Sequence, residues 1–298
     1  MEPHWDDLKI FLAVAREESL SGAGRILKLD PATVGRRIGR LEAAVETPLF
    51  VKSPQGYALS AAGDRLLEHG EQVEQAMRAA TEALVGPSDS LSGHIRIGAP
   101  DGCANYLLPQ VCAEISDKNP DLDIQIVALP RVVNLSRREA DMAIAVSAPT
   151  AGQLLVQKIT DYKLHLVASR RYLKTCSAIE SVADLKGHRM IGYIPDMIFD
   201  AELDYLSEIG VDRVTLASNS VPVQLKLAVQ SVGVCVAHDF TLPAHGFLRK
   251  VLEDQVSLTR SFYLVRHQGD QRSERLNRFA TQLSEGLRDE VAKLEALT

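Results

Sequence analysis

A chain of 298 residues is long enough for two or three folded units. Its 46% hydrophobic and 24% charged residues are ordinary for a soluble globular protein, no apolar run is long enough to span a bilayer, and a formal charge of −6 argues against indiscriminate binding to polyanions by the chain as a whole. The start "MEPHWDDLKIF" lacks the basic flank and apolar core of a secretion signal, so the expected compartment is the cytoplasm, without a membrane partner. The four cysteines, Cys103, Cys112, Cys176 and Cys235, are widely spread and contain no CxxC pair, which argues against a disulfide framework or a zinc site.

The first predicted helix is "WDDLKIFLAVAREE", with Leu8, Phe11, Leu12 and Ala15 at helical spacing. "SLSGAGRILKL" follows, with Ser19 or Ser21 as its cap and Ala23, Ile26 and Leu27 facing inward. Gly22 and Gly24 are expected to weaken this helix by roughly 1 kcal/mol each relative to Ala. After a short turn comes "DPATVGRRIGRLE", in which Asp30 is an N-cap and Pro31 fits the first helical position. Winding it puts Val34, Ile38, Leu41 and Val45 on one face and Ala32, Thr33, Arg36, Gly39 and Arg40 on the other, with Arg37 on the flank. No acid follows on this helix before Glu42, so the arginines predict an anionic partner. Two short helices joined by a tight turn, the second basic, describe a helix-turn-helix whose second helix lies in a DNA major groove. Two short strands over 49–52 and 57–59, around Ser53-Pro54-Gln55-Gly56, form a hairpin wing. The expected partner is double-stranded DNA, met by Ser21, Pro31, Ala32, Thr33, Arg36, Arg37, Arg40 and Lys52 of the wing.

Residues 61–86 read as one long helix with a narrow stripe, Ala62, Leu66, Val73, Met77, Ala80 and Leu84, that suits a coiled-coil seam. Leu66, Val73, Met77, Ala80 and Leu84 are therefore the dimerisation candidates. "GPSDSLSG", 86–93, has the composition of a hinge. From His94 strands and helices alternate: "HIRIGAP", a helical stretch whose regular part begins at Pro109, "LDIQIVAL" and "DMAIAV". A second set follows, "KLHLVAS", "HRMIGYI", "RVTLAS", the helix "PVQLKLAVQSV", "GVCVAHDF" and "SFYLVRH". Alternation predicts parallel sheets covered by helices, and two sets predict two lobes. A final helix turns Leu276, Phe279, Leu283 and Leu287 inward.

The motifs resemble those of the LysR-type transcriptional regulators. The family pattern Ser-Phe-Thr-x-Ala-Ala-x-x-Leu stands here as Ser19-Leu20-Ser21-Gly22-Ala23-Gly24-Arg25-Ile26-Leu27, and Arg-x-Ile-x-x-Leu-Glu as Arg36-Arg37-Ile38-Gly39-Arg40-Leu41-Glu42. Pro48-Leu49-Phe50 and Leu59-Ser60-Ala61-Ala62-Gly63 match two further family motifs. The usual Ser-Gln-Pro-Ala-Val-Ser turn is replaced by Asp30-Pro31-Ala32-Thr33-Val34-Gly35. Direct readout then rests on Thr33, Arg36 and Arg37, with Ala32 able to touch a thymine methyl.

The resemblance implies an α/β chain with an N-terminal winged helix-turn-helix (1–60), a linker helix and hinge (61–92), and a two-lobed effector domain of the type II periplasmic-binding-protein fold (93–298). Lobe I is expected at about 93–160 and 268–298, and lobe II at about 161–267, with crossings near Thr160 and His267. It also implies a homodimer or homotetramer paired through the linker helix, a small-molecule effector, RNA polymerase as a partner, and no cofactor. Ligands of such folds sit outside the carboxyl ends of the strands. That points to Pro100, Asp101, Gly102 and Cys103, then Arg131, Ser147, Ile194, Pro195, Asn219 and Ser220. Asp101 either caps the helical turn that follows it or projects into the cleft toward a donor group on the ligand.

Three other classes compete with this reading. An enzyme is disfavoured because HExxH, GxSxG, Walker and GxGxxG motifs are missing, and His188, His238 and His245 read as surface or loop residues. A thiol-based redox-responsive regulator of the same fold is the alternative, but Cys103 and Cys112, if on one helix, stand on the order of 13 Å apart. A solute-binding protein does not account for the DNA module.

Overall fold

The computed structural model describes residues 4–53, 56–85, 90–129, 140–150 and 154–298. They form two compact units, Met1–Ser88 with Gly269–Ser273, and Asp89–Gln268 with Glu274–Thr298.

The first unit begins with α1 (Trp5–Glu17), α2 (Leu20–Leu27) and α3 (Pro31–Ala44). Phe11, Val14, Ala23, Val34, Ile38 and Leu41 are buried together in its core. Ser19 caps α2, its Oγ accepting from Gly22 N–H at 3.2 Å, which leaves Ser21 exposed on the helix. Ile26, expected inward, is 60% exposed, because Ala23 and half-buried Leu27 occupy the inner face one turn apart. Lys28 then takes a left-handed φ of 54° and ends the helix. The wing pairs β1 (Phe50–Ser53) with β2 (Gly56–Leu59), one residue later at its start than expected, because Leu49 N–H and Phe50 N–H are both held by Glu42 Oε1, at 2.8 and 3.2 Å. Ser60 joins the wing to α4 (Ala61–Val85): its Oγ donates to Pro48 O at 2.7 Å and accepts from Gly63 N–H at 3.0 Å. A Cβ at Gly63 would stand 2.1 Å from Leu49 O, so this join admits only glycine.

The second unit is a curled, nine-stranded mixed sheet running through two lobes. Lobe I is built on β3 (Gly93–Pro100), flanked in parallel by β4 (Leu122–Leu129) and β5 (Met142–Ala145). Between β3 and β4 the helical stretch splits into α5 (Asp101–Tyr106) and α6 (Leu108–Lys118), with Pro109 in the first turn of the second. β6 (Leu154–Ser169) is much longer than the segment 163–169 read from sequence, and it is followed by α7 (Arg170–Thr175). Lobe II places β7 (Met190–Gly192) parallel to β8 (Leu216–Ala217) and β9 (Val234–His238), with the short α8 (Tyr205–Glu208) and α9 (Val221–Val229) between them. The strands joining the lobes are antiparallel, contrary to the all-parallel expectation: β10 (Leu248–Lys250), β9 and β11 (Ser257–His267) all pair with β6 in that sense. β11 passes from lobe II to lobe I at the bulge between Phe262 and Tyr263, since Tyr263 to Arg266 already pair with β5; the return expected near His267 falls earlier. α10 (Glu274–Glu295) buries Leu276, Phe279, Leu283 and Leu287 completely.

One glycine expected to weaken α2 has a structural duty instead. A Cβ at Gly24 would lie 2.6 Å from Leu29 O, whose residue closes the turn by bonding back to Gly24 O at 2.8 Å. Overpacking of this kind costs about 1–3 kcal/mol, more than the roughly 1 kcal/mol of helix propensity that Ala adds. Gly24→Ala is therefore expected to lower the urea midpoint read at the α1–α3 amides by hydrogen exchange. Gly39→Ala, whose Cβ would meet nothing within 4 Å, is expected to raise it.

Candidate nucleic-acid interface and effector cleft

The apolar side of α3 fixes which residues face out. Val34, Ile38 and Leu41 are buried, Pro31, Ala32, Arg36 and Arg40 are exposed, and Thr33 and Arg37 are half-buried. Asp30 Oδ1 accepts from Ala32 N–H at 2.8 Å, so the helix start is capped as expected. The acid missing from α3 comes from α1. Asp7, 1% exposed, accepts from Arg40 Nε at 2.6 Å, from Arg40 Nη2 at 2.5 Å and from Arg37 Nη1 at 3.1 Å. Burial pushes the Asp7 carboxyl up, but the hydrogen bond and charge of Arg40, with the charge of Arg37, outweigh it and hold the carboxyl below its usual range. Arg36 has no hydrogen bond or ion pair among the described residues. On the wing, exposed Lys52 lies 5.8 Å from the Tyr57 ring centroid.

α4 leaves the wing against α1. Leu66 is half-buried against the helix-turn-helix core, a Cβ at Gly70 would lie 3.1 Å from both Leu8 and Leu12, and Glu74 holds Arg16 at 2.7 Å. Val73 is half-buried, whereas Met77 is 58% exposed and Ala80 is exposed. The side chain of Leu84 lies outside the described residues. Of the stripe predicted as a seam, Leu66 thus serves the core of its own domain.

In the second unit the loops after β3, β5, β7 and β8 converge where the lobes meet. Asp101, at the first position of α5, projects into the cleft and does not cap its own helix. Its Oδ1 accepts from Asn105 Nδ2 at 2.9 Å, and its Oδ2 reaches across to accept from Val221 N–H at 2.7 Å, at the start of α9 in lobe II. Two further side-chain bonds cross the cleft: Ser147 Oγ donates to Asp200 Oδ2, and Tyr106 Oη pairs with His245 Nε2 at 2.9 Å. Burial, then the charge of Lys226, lowers the His245 pKa, and burial, then the charge of Asp101, raises that of Tyr106 to about 12. Pro100 precedes α5; Gly102 and Cys103 are buried, while Ile194, Asn219 and Ser220 are half-buried. Pro195 is exposed and lines a lobe II cavity of about 790 Å³ with Tyr193, Asp200, Tyr205 and Gln224. Arg131 lies outside the described residues.

His238, read from sequence as a surface or loop residue, is 5% exposed at the end of β9. A central strand flanked by β6 and β7 buries its last residue, which the sequence pattern alone did not reveal. Tyr162, Tyr205 and Phe240 surround its ring with centroids at 5.0–6.0 Å, and Tyr205 Oη lies 3.5 Å from its Nε2. Tyr193, Tyr205 and His238 are thus cleft residues that no motif announced. Tyr193 and His238 were signalled only by position at or just after a strand end, and Tyr205, at the start of α8, by nothing.

A winged helix-turn-helix carried on the same chain as a two-lobed periplasmic-binding-protein-like domain defines a DNA-binding transcriptional regulator. Residues 5–64 match the bacterial regulatory helix-turn-helix protein, lysR family, and residues 88–288 match the LysR substrate binding domain. The chain belongs to the LysR family. It is 29% identical over 203 residues to the HTH-type transcriptional regulator GltR of Bacillus subtilis (strain 168), covering 67% of each protein. It is 22% identical over 262 residues to the regulator CrgA of Neisseria meningitidis serogroup C (strain 8013), covering 86% of this chain and 88% of that one. In fold it is similar to a full-length OxyR variant from Pseudomonas aeruginosa, with a TM-score of 0.74 at 15% identity, covering 96% of this chain and 95% of that one. ArgP from Mycobacterium tuberculosis gives a TM-score of 0.72 at 18% identity, covering 94% of this chain and 96% of that one.

The buried His238 makes stability depend on pH. Burial depresses its pKa from 6.5 to about 4, opposed only in part by the charge of Asp239. The unfolded chain therefore takes up the proton first as pH falls, and the second unit loses stability between about pH 6.5 and 4, by about 3 kcal/mol in all. Comparing urea unfolding of wild type with His238→Phe across that range is expected to show this loss in the wild type and to remove it from the variant.

Proposed function

We propose that this LysR-family protein is a sequence-specific regulator whose DNA binding or activation is controlled by a small molecule held between the two lobes. The observation that carries the reading is the outer face of α3, where Arg36 stands free among the described residues beside Arg37 and Arg40, both anchored by Asp7. Arg36, with Thr33 and Ala32, reads base edges, while Arg37, Arg40 and Lys52 meet the phosphates that fix register. The protein works as a homodimer or homotetramer, with the exposed part of α4 around Met77 and Ala80 as the pairing surface between subunits. It acts in the cytoplasm, alongside RNA polymerase and without enzymatic turnover. No described helix is long and apolar enough to cross a membrane.

The thiol-based alternative gains no support from Cys103, Cys112 or Cys235. All four are free thiols, and Cys103 and Cys112 fall on separate helices. Burial raises the Cys103 thiol far above its usual range, Cys112 to about 11 and Cys235 to about 12, so the reactive thiolate is suppressed at all three.

The test is a gel-shift titration on a fragment that the protein itself selects from random duplex DNA. Arg36→Ala is expected to lose roughly 1–3 kcal/mol of affinity for that fragment and to discriminate less among sequences. Arg40→Ala is expected to weaken binding to all sequences and to make the salt dependence shallower, by about one unit of slope at most. Unchanged affinity in both variants would remove α3 from the interface.

A further inference from the structure

The N-terminus of α9 offers the backbone N–H of Val221 toward lobe I, Pro222 after it has no N–H, and its own capping residue, Ser220, makes no side-chain cap bond. The carboxylate that fills the position is supplied from 120 residues away by Asp101, whose Oδ2 lies 2.7 Å from Val221 N. Such a position favours an anion, through the Val221 N–H and the helix dipole together. We propose that Asp101 is the specificity-determining residue of the cleft: a built-in anion that latches the lobes at α9, keeps carboxylate and phosphate groups of small molecules out of that position, and leaves the corner to an effector that brings a hydrogen-bond donor.

A second observation at the same corner points to a ligand of that kind. The Nδ1 of His238 is buried and has no hydrogen-bond partner among the described residues. It faces the corner, since a Cβ at Gly102, next to Asp101, would lie 3.7 Å from Nδ1 and 3.5 Å from Val221 Cγ2. A neutral imidazole with its proton on Nε2 offers Nδ1 as an acceptor, so an ammonium, amide or hydroxyl group satisfies both it and the remaining lone pairs of Asp101. A carboxylate there meets the Asp101 charge with no described base in contact. The adjoining lobe II cavity is lined by Asp200, Asp204, Glu208 and Asp212 and by no lysine, arginine or histidine, with Glu208 paired to Arg260.

The inference rests on the effector-controlled reading, but its test uses neither DNA nor the natural effector, so its failure leaves that reading standing. Full-length wild type, Asp101→Ala and Asp101→Asn are followed by amide exchange at Val221 and by thermal unfolding of the second unit. Salts are compared at equal ionic strength. In Asp101→Ala the Val221 amide is expected to exchange about tenfold faster or more, the equivalent of losing one hydrogen bond to a charged group. Formate or acetate, but not chloride, is expected to restore its protection and raise the variant's midpoint. The same anions are expected to leave the wild type unchanged, while methylammonium stabilises the wild type more than donor-free tetramethylammonium does. Equal Val221 exchange in wild type and Asp101→Ala, a folded Asp101→Ala that ignores formate, or a wild type stabilised by formate and not by methylammonium would each overturn the proposal. Should Asp101→Ala fail to fold, Asp101→Asn decides: partial loss of Val221 protection supports the charged latch, and full protection overturns it.

Discussion

The antiparallel pairing of β6 with β11 is the constraint on which the second unit depends. Each strand belongs to both lobes, so neither lobe completes its sheet without the other. β11 gives its later residues to β5 and β6 gives its later residues to β9, with the bulge after Phe262 between. Tyr162 and Phe262 stack there at 4.2 Å, fully buried, with Phe240 against them. This dense aromatic joint resists shear, because interiors at crystal-like packing density tolerate few displacements. What freedom the lobes have lies in twisting the two strands. Beyond the joint the lobes are tied by side-chain bonds, Asp101 to Val221, Tyr106 to His245 and Ser147 to Asp200.

The helix-turn-helix unit solves a different problem, that of building a rigid platform from a small core. Its stiffness comes from many short-range closures rather than from bulk. Ser19 and Asp30 cap their helices, Glu42 takes the first two amides of the wing, and Ser60 joins the strand end to α4. Several of these residues stand at positions of the family motifs, and their work here is backbone satisfaction. The motif thus marks how the platform is held as much as what it binds.

Much of this is legible in the sequence. Helical spacing located α1, α3, α4 and the inward face of α10, and Pro109 marked the break between α5 and α6. Lengths were less legible, because the extension of β6 back to Leu154 exists only to pair with β11, and α7, α8 and β10 are too short to set up a period. The site was legible in its loops and not in its bonds. That Asp101 sits at a strand end follows from the sequence, but its choice of Val221 over its own helix depends on a neighbour 120 residues away. Likewise nothing in the pattern ties Asp7 to Arg37 and Arg40 until α1 and α3 are packed together. Local periodicity reports which face is buried; it does not report which polar groups meet across a fold.

The grip of Asp7 on two arginines has a consequence for the entropy of recognition. A free arginine side chain carries about 2 kcal/mol of rotamer freedom that is lost when it is pinned to a phosphate. Arg40 is already pinned through two of its nitrogens and Arg37 through one, so in the proposed interface that loss would fall on folding and not on DNA binding. The remaining guanidinium N–H groups are then presented at fixed positions, and the fork that fits both Asp7 oxygens is one that a lysine at position 40 lacks. In the proposed interface such a surface would discriminate by geometry: a backbone whose phosphates fell out of step with the forks would gain little from them, because the side chains are not free to follow.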